Sequence, residues 1–242
     1  MKRWLLLVTG SSRGLGAALV AKARAAGHTV IGVSRSGGSH ALDVKLDLGQ
    51  PERIQDTLAP LLEAHISPDC HQYALVNNAA MLGPVGVGYD AASVSAHMAL
   101  NLVAPIMLSR VFARTLAHTD AIKRIVSISS GASTRPIAGW SLYCASKAGL
   151  DHFARVMAEE QTDCRRPVQL VNVSPGVIDT GMQAAIRTSS ETDFPAVEQF
   201  RQMHASGALQ SPDAVASKLM AGLSSGRVFA GELLSIDDFA RS

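Results

Sequence analysis

The sequence predicts an α/β fold in which a single doubly wound parallel sheet of about seven strands carries helices on both faces. Short apolar runs rich in β-branched residues alternate along the chain with longer segments that have helical periodicity. Most of the short runs are apolar throughout, which is typical of parallel strands buried on both faces. This alternation favours right-handed strand–helix–strand crossovers within one sheet.

The elements follow one another in a regular order. After the first, third, fourth, fifth and sixth strands comes a segment in which apolar residues recur every three to four positions, as on the buried side of a helix. The predicted strands are residues 4–8, 29–33, 44–48, 73–76, 124–128, 168–173 and 232–236. The predicted helices are residues 15–26, 52–65, 91–117, 142–160 and 213–223. In such a sheet, ligands bind beyond the carboxyl ends of the strands.

Residues 1–242 are predicted to form one domain, because the chain shows no internal repeat, low-complexity tract or linker. The irregular stretch is residues 188–208, which lies after the sixth strand and mixes polar residues with the apolar Phe194, Val197, Phe200 and Met203. It is either a surface excursion or a lid over a ligand.

Charge and composition argue against several kinds of partner. The net charge is +2, and no basic run is longer than a pair, so there is no electrostatic footprint for nucleic acid or an anionic membrane. The apolar run at residues 4–8 is shorter than the core of a signal peptide, and we expect no stretch long enough to span a bilayer. The remaining partner class is a small molecule.

Cysteine and histidine usage predicts neither a disulfide framework nor a metal site. Cys70, Cys144 and Cys164 are an odd number in no metal-ligand spacing, and the eight histidines show none either. We therefore expect free thiols, a cytoplasmic protein and no metal.

A glycine-rich turn joins the first strand to the first helix. It reads Gly10-Ser11-Ser12-Arg13-Gly14-Leu15-Gly16. Backbone N–H groups and the positive end of the helix dipole meet at such a turn, and glycines allow a phosphate to come close. The turn therefore predicts an anion site, although a glycine-rich turn alone is weak evidence.

Tyr143 and Lys147 lie four positions apart among small residues of a predicted helix, so they share a face. A free phenol has a pKa near ~10, and a nearby cation stabilises the phenolate. We expect Lys147 to lower the pKa of Tyr143 toward the range useful for proton transfer. This spacing also occurs by chance, but Ser130 adds a hydroxyl at the carboxyl end of the preceding strand; Ser129 is the competing hydroxyl.

These motifs together resemble the short-chain dehydrogenase/reductase family, whose domain is of the Rossmann type. The resemblance runs from Leu5 to about Ile236, and the stretches "SSGASTRPIAGWSLYCASKAG" and "SPGVIDTGMQAAIR" resemble its benzil reductase and sepiapterin reductase branch. The matching elements are the Gly-x-x-x-Gly-x-Gly spacing, Asn77-Asn78-Ala79-Ala80, Asn101, Ser130, Tyr143, Lys147, and Pro175-Gly176 with Thr180.

The resemblance implies a division of labour among four catalytic residues. Ser130 orients a substrate carbonyl and Tyr143 gives it a proton as hydride arrives. Lys147 holds the nicotinamide ribose and tunes Tyr143, while Asn101 supports a water relay to solvent.

It also implies a set of cofactor contacts. Ala80 departs from the glycine usual in the family, which adds a methyl group near the cofactor. Asp47 matches an aspartate that contacts adenine, or it caps the turn before Gly49. The implied contacts are Gly10, Ser12, Arg13, Gly14, Leu15, Gly16, Arg35, Asp47, Asn77, Ala79, Tyr143, Lys147, Pro175, Gly176, Val177 and Thr180.

The end of the second strand indicates which dinucleotide is bound. A free ribose 2′-hydroxyl calls for an acid there, whereas a 2′-phosphate calls for cations. The stretch Val33-Ser34-Arg35-Ser36 has no acid, and Arg35 together with Arg13 in the glycine turn offers two positive groups. In the family this pairing implies NADP(H), unless both arginines are merely exposed loop residues.

The predicted function is an NADPH-dependent carbonyl reductase acting on a ketone or 1,2-diketone. The alternatives are an NADP(H)-binding sensor or scaffold with little turnover, and an NADP-dependent secondary-alcohol dehydrogenase. Trp140 and Met182, beside Tyr143 and Ser130, are the predicted substrate contacts, with core packing as the alternative. Asp237 approximately matches the pterin-anchoring aspartate of the sepiapterin reductase branch, or is a solvated acid.

Two predicted helices carry more apolar surface than one contact with a sheet requires. Residues 91–117 and 142–160 have Ala, Met, Val and Phe on more than one face. In the family, these helices build a dimer. We therefore expect a homodimer, or a tetramer.

Overall fold

A computed structural model describes residues 3–241 and contains a seven-stranded sheet in the order β3-β2-β1-β4-β5-β6-β7. Every neighbouring pair of strands is parallel. The predicted fold class is confirmed. The strands are β1 Arg3–Thr9, β2 Thr29–Ser34, β3 Asp43–Lys45, β4 Cys70–Asn77, β5 Ile122–Ile128, β6 Val168–Ser174 and β7 Ala230–Ser235.

Helices cover both faces of this sheet. On one face α1, α8 and α9 pack together, and on the other α2, α4 and α5 do. The helices are α1 Gly14–Ala25, α2 Ile54–Glu63, α3 Ala91–Met98, α4 Ala104–Thr115, α5 Ser141–Glu159, α6 Gly181–Arg187, α7 Val197–Ala205, α8 Pro212–Ser224 and α9 Ile236–Ala240. Three of them, α6, α7 and α9, are short and were not predicted.

The first strand shows why the sheet needs helices on both sides. Its residues alternate between two cores: Leu5 and Leu7 pack on the α2–α4–α5 side, and Leu6 and Val8 on the α1–α8 side. All four are buried. A strand that is apolar throughout can therefore lie only at the centre of the sheet.

The third and seventh strands end earlier than predicted. Strand β3 ends at Lys45, although Leu46 and Leu48 after it are buried, because Asp47 turns the chain by accepting a hydrogen bond from the Gly49 N–H. Strand β7 ends at Ser235, whose hydroxyl accepts the Asp238 N–H and so caps α9. Neither the turn at Asp47 nor the helix cap at Ser235 can be predicted from the apolar periodicity of the sequence.

The predicted helix 91–117 consists of three parts. Helices α3 and α4 are joined by a π-helical turn over Ala99–Val103, which carries Asn101. Such turns insert one extra residue per turn and so change which side chains face the sheet.

By length and composition alone, the helical stretch Ala91–Thr115 could cross a membrane, contrary to the expectation that no stretch is long enough. In the structure it packs on α2 and α5 beside the sheet, and Asn101 on it lies in the interior. Some of its apolar residues therefore pack in the α/β core, and the rest of the stretch is not buried.

Candidate active site

The glycine turn after β1 is clamped by the end of β4. The Thr9 hydroxyl accepts the N–H groups of Asn78 and Ala79, both at 3.0 Å, and Asn78 Nδ2 donates to the Thr9 carbonyl at 2.8 Å. Asn78 was not among the predicted contacts, although it stands beside Asn77 in the sequence. Ala79 is therefore fixed against the turn through its backbone.

The glycines of this turn are required by its shape. Gly10 and Gly14 have φ values of 66° and 55°, in the left-handed region that disfavours side chains. A Cβ on Gly16 would overlap the Gly10 carbonyl oxygen. A side chain at Gly10 or Gly16 would therefore collide with Asn78 or with the turn itself.

The first turn of α1 fits a phosphate group. Its N-cap residue, Arg13, makes no capping hydrogen bond through its side chain, and the first turn carries no acid. Ser12 and Arg13 are exposed, while the Leu15 side chain is buried in the core, so Leu15 can offer only its backbone to a ligand. An anionic group at this helix end would meet N–H groups and a cation.

The surface at the end of β2 is cationic. Arg35 is exposed directly after the strand. Lys45, which is also exposed, lies close to it because its backbone pairs with Ser34, the last residue of β2. The acid on β3, Asp43, is bound by Arg24 at 2.6 Å, which lowers the pKa of Asp43 against the opposing effect of burial. That carboxylate is thus already neutralised by an arginine of α1.

Two other predicted cofactor contacts have structural partners. The buried Asn77 donates from Nδ2 to the Ser109 hydroxyl at 3.3 Å, inside the sheet–helix layer. Asp47 accepts from the Gly49 N–H at 2.9 Å, which is the turn-capping alternative. Asn77 Oδ1, by contrast, is buried and has no hydrogen-bond partner among residues 3–241.

The loop after β6 approaches the glycine turn. Gln210 holds it by donating from Nε2 to the Pro175 carbonyl at 2.8 Å and from its backbone to Val177 at 3.0 Å. Gly176 has a φ of 75°, and a Cβ on Gly14 would lie 3.3 Å from the Thr180 methyl carbon. The loops after β1 and β6 thus border one cleft at the carboxyl edge of the sheet.

Tyr143 and Ser130 come together at this edge. Tyr143 lies in the first turn of α5, and Ser130 follows β5 and accepts the Ala132 N–H at 3.2 Å. The Ser130 hydroxyl lies beside the phenol, where its hydrogen bond favours the phenolate. Ser129 instead lies buried on the far side of the chain, next to Asp151. The hydroxyl available to Tyr143 is therefore that of Ser130.

The expected lowering of the Tyr143 pKa is wrong for the protein without ligand. Burial raises the pKa of Tyr143 to about 12, and the Ser130 hydroxyl only partly opposes this. The Lys147 ammonium is 5.6 Å from the centre of the ring and donates to the Ile128 carbonyl at 2.7 Å. The phenol is consequently held in its protonated form at neutral pH.

Lys147 is itself perturbed by its surroundings. It is buried, and desolvation lowers its pKa to about 8, while the charge of Asp151 one turn later opposes the shift. Asp151 is buried as well, and burial raises its pKa. Lys147 therefore remains mostly protonated at neutral pH, but it is much closer to losing its charge than an exposed lysine.

Asn101 anchors the chain that follows β4. Its Oδ1 accepts the Met81 N–H at 2.9 Å, and its Nδ2 donates to the Met81 carbonyl at 2.7 Å. A buried histidine, His97, lies one helical turn earlier, with its Nε2 3.0 Å from Asn101 Nδ2. Sequence reasoning gave His97 no role; its spacing of four from Asn101 was the available signal.

An aromatic cluster closes the other side of Tyr143. Trp140 makes an edge contact with Tyr143 and stacks on Phe194, with ring centres 4.7 Å apart. Phe200 leans on both Trp140 and Phe194, and the partly buried Met182 packs against the same cluster. Residues 188–208 are therefore packed onto the residues beside Tyr143.

Asp237 lies at the start of α9, outside this cluster. Its carboxylate pairs with Lys218 at 2.8 Å, and more than half of its side chain is exposed. Lys218 also donates to Gln210, which holds the loop after β6. Asp237 thus contacts that loop only through two intermediate side chains.

Comparisons with known proteins agree with this architecture. The family model for short chain dehydrogenase matches residues 5–191. A benzil reductase that forms (S)-benzoin, from Bacillus subtilis, is 39% identical over 235 residues, which cover 93% of this chain and 97% of the relative. Sepiapterin reductase from Mus musculus is 30% identical over 237 residues, covering 88% of each chain.

A solved structure gives the same result. The crystal structure of a short chain dehydrogenase from Burkholderia cenocepacia in complex with NADP matches with a TM-score of 0.75 and 27% identity. The match covers 98% of this chain and 97% of that one. The order of the strands in the sheet fits this likeness. The chain belongs to the short-chain dehydrogenase/reductase family of oxidoreductases, in the branch that contains the benzil and sepiapterin reductases.

Proposed function

We propose that the protein is an NADPH-dependent carbonyl reductase for ketones or 1,2-diketones, with Tyr143 as the proton donor. The observation that carries this proposal is the meeting of the protonated Tyr143 phenol with the Ser130 hydroxyl in the cleft beside the glycine turn. Carbonyl reduction needs a proton at the oxygen and a hydride at the carbon, and a phenol held in its acid form can supply the first.

The chain's own residues divide the remaining work. When bound, NADPH supplies the hydride to the carbonyl carbon and is oxidised to NADP⁺. Ser130 donates a hydrogen bond to the carbonyl oxygen and so orients it toward Tyr143. Tyr143 transfers its proton to that oxygen, and the alcohol is released. Lys147 holds the ribose and stabilises the phenolate left on Tyr143 until it is reprotonated.

The phosphate form of the cofactor is proposed from charge. Arg13 and Arg35 are both exposed beside the glycine turn, and Asp43 is neutralised by Arg24. A 2′-phosphate would therefore meet cations and no free carboxylate at the end of β2. The NADP found in the Burkholderia relative agrees with this choice.

The substrate class is proposed from the aromatic cluster. Trp140 and Met182 flank Tyr143 and offer an apolar, aromatic wall to a ketone, while residues 188–208 form a lid above them. Benzil is a diaryl 1,2-diketone, and it is the substrate in the name of the Bacillus subtilis relative. Asp237 remains a predicted contact for a larger, polar substrate.

The assembly and compartment complete the proposal. A homodimer through α4 and α5 would cover apolar residues that these helices expose, among them Val156. The three free cysteines, of which Cys164 is exposed, favour a reducing, cytoplasmic compartment.

The test is the loss of NADPH absorbance with benzil for the wild type, Tyr143→Phe and the control Tyr73→Phe. Removing a general acid should lower kcat by about 10²- to 10⁴-fold in Tyr143→Phe, with NADPH affinity retained. Tyr73 is a buried phenol of β4 bonded to Ser67, away from the cleft, so its variant should keep turnover.

Either of two results would overturn the proposal. Full turnover by Tyr143→Phe would remove Tyr143 as the donor. No turnover by the wild type with benzil and a panel of ketones, despite tight NADPH binding, would reject the carbonyl-reductase assignment.

A further inference from the structure

His97 is a fully buried histidine at the end of α3, next to Tyr143 but not facing a substrate. Its ring meets the Tyr143 ring edge-on, with centres 6.4 Å apart. Its Nε2 lies 3.0 Å from Asn101 Nδ2 and 3.1 Å from the Ser146 hydroxyl. One imidazole nitrogen therefore contacts both the π-helical turn and α5.

The Met81 backbone fixes which way the Asn101 amide points. The Met81 N–H donates to Oδ1, so Oδ1 is the oxygen and Nδ2 the nitrogen in this orientation. One N–H of Nδ2 goes to the Met81 carbonyl at 2.7 Å. The other N–H has His97 Nε2 at 3.0 Å and the Ser146 hydroxyl at 3.5 Å, so its shorter contact is with His97.

The tautomer of His97 follows from this orientation. Because Asn101 donates to Nε2, that nitrogen must carry a lone pair and the proton must lie on Nδ1. The Ser146 hydroxyl gives its own proton to the Tyr143 carbonyl at 2.9 Å, so it does not compete as a donor to Nε2. With Asn101 Nδ2 donating to Nε2, His97 is neutral.

The walls around His97 leave it no alternative position. A Cβ on Gly83 would overlap Nδ1, so only a glycine allows the loop after β4 to pass. The groups of α5 that face the ring are Tyr143, Ser146 and Lys147, and the charge of Lys147 disfavours protonation. The π-helical turn contributes Asn101 and the loop contributes Met81 and Gly83, none of which titrates.

We propose that His97 is a positioning residue for carbonyl reduction: its unprotonated Nε2 holds the Asn101 amide, while its ring packs edge-on against Tyr143. The inference rests on the proposed function. In this arrangement His97 touches neither substrate nor cofactor, and it acts through Asn101 and Tyr143.

The network makes activity sensitive to acid. Burial lowers the pKa of His97 below its ordinary 6.5, and the Leu142 carbonyl opposes the shift only in part. Protonation places a hydrogen on Nε2 and turns it toward the N–H of Asn101, so two donors face each other. Turnover should therefore fall as the pH drops through the lowered pKa of His97.

The experiment compares His97→Leu, which removes the acceptor, with His97→Gln, whose side-chain oxygen can reach the place of Nε2. We expect kcat with benzil to fall about 10- to 100-fold in His97→Leu, with the KM for NADPH unchanged, and to recover largely in His97→Gln. The acid limb of the kcat profile should be absent in His97→Gln. Equal losses in both variants, or an acid limb that survives in His97→Gln, would overturn the inference.

The control is His28→Leu. His28 also has a buried Nδ1 without a partner and stacks on Trp4, but it lies between α1 and β2, away from the cleft. A fall in kcat for His28→Leu as large as that for His97→Leu would show a general loss of stability and would count against the inference.

A second readout does not depend on turnover. ¹⁵N spectra of histidine-labelled protein should show the proton of His97 on Nδ1 in the wild type, with the Nε2 signal shifting in Asn101→Ala. A proton on Nε2 in the wild type would overturn the inference. If the wild type reduces no ketone while His97 shows the Nδ1 tautomer, then the proposed function fails and the holding of Asn101 by His97 stands.

Discussion

Lys147 carries a charge in a place that disfavours it. Burial lowers its pKa to about 8, and the carboxylate of Asp151 limits the shift. A lowered pKa means that the ammonium persists only below that value. Across the range just above neutrality, the residue proposed to hold the ribose therefore passes from charged to neutral.

This titration predicts an alkaline limb in cofactor affinity. The Kd for NADPH should rise as the pH increases through about 8, the value for Lys147. Asp151→Asn removes the charge that supports the ammonium, so the limb should move to lower pH. The measurement is NADPH fluorescence titration between pH 6 and pH 10, about two units on each side of the pKa. Asp163→Asn, at an exposed turn, is the control; a limb in the same position in Asp151→Asn and the control would contradict the prediction.

The proposed preference for NADPH over NADH rests mainly on Arg35. It is exposed, so its reversal should leave the fold intact. Arg35→Glu replaces a cation with a carboxylate beside the proposed 2′-phosphate and should weaken NADPH about tenfold or more, with little change for NADH. Both affinities can be measured by titration, with the exposed Arg53→Glu as the control. Equal losses for NADPH and NADH would refute the phosphate assignment.

At the scale of elements, the proposed lid, residues 188–208, is held in place by aromatic stacking. Phe194 and Val197 of residues 188–208 are fully buried, and Phe194 lies flat on Trp140. The backbone at Asp193 passes very close to Gly139, and a Cβ on Gly139 would overlap the Asp193 carbonyl oxygen. The segment is therefore a docked element whose position depends on Trp140, the residue that precedes α5.

Loosening this contact should affect the substrate and not the cofactor. Phe194→Leu loses the stacked ring while keeping much of the volume, so it should cost roughly 1 kcal/mol of stability. We expect a higher KM for benzil and an unchanged Kd for NADPH, and the same pattern for Trp140→Ala. Steady-state kinetics with Phe229→Leu as the control, a buried ring in the other core, tests this. An unchanged KM in both cluster variants would show that the lid does not shape the substrate site.

Some elements of the fold could be predicted from the sequence pattern and others could not. The five predicted helical segments contain six of the helices, and all seven strands were predicted close to their positions, because apolar periodicity reports burial on a sheet. The π-helical turn that carries Asn101 was missed, since one extra residue in a helix leaves the local pattern apolar. Helices α6 and α7 were missed because they are short and are stabilised by contact with Trp140 and its neighbours.

For the whole molecule, the open question is what covers the outer faces of α4 and α5. Val103 in the π-helical turn and Val156 on α5 are 39% and 45% exposed. Exposed valines on adjoining helices are typical of an interface between copies. The proposed homodimer would remove both from water.

Light scattering at micromolar concentration should give twice the chain mass of 25.4 kDa, or four times for a tetramer. Val156→Asp places a charge on the proposed interface and should shift the distribution toward monomer. Val87→Asp, at an even more exposed valine outside these helices, should leave it unchanged. A monomeric wild type would contradict the prediction.

The sequence by itself determined the fold class and the family, and it predicted which side chains are chemically active. These predictions came from patterns among residues that are close together in the sequence, so they can be read without the structure. The patterns are the strand and helix periodicities, the glycine turn and the spacing of Tyr143 and Lys147. The structure decided what those side chains experience. Burial raises the pKa of Tyr143 to about 12 and brings that of Lys147 to about 8, opposite to the predicted lowering of the phenol.

Only tertiary packing could reveal His97 as a partner of Asn101 and Ser146, or Asn78 as the clamp on the glycine turn. Desolvation and long-range hydrogen bonds depend on which segments meet across the sheet, and no window of sequence contains both sides of such a contact.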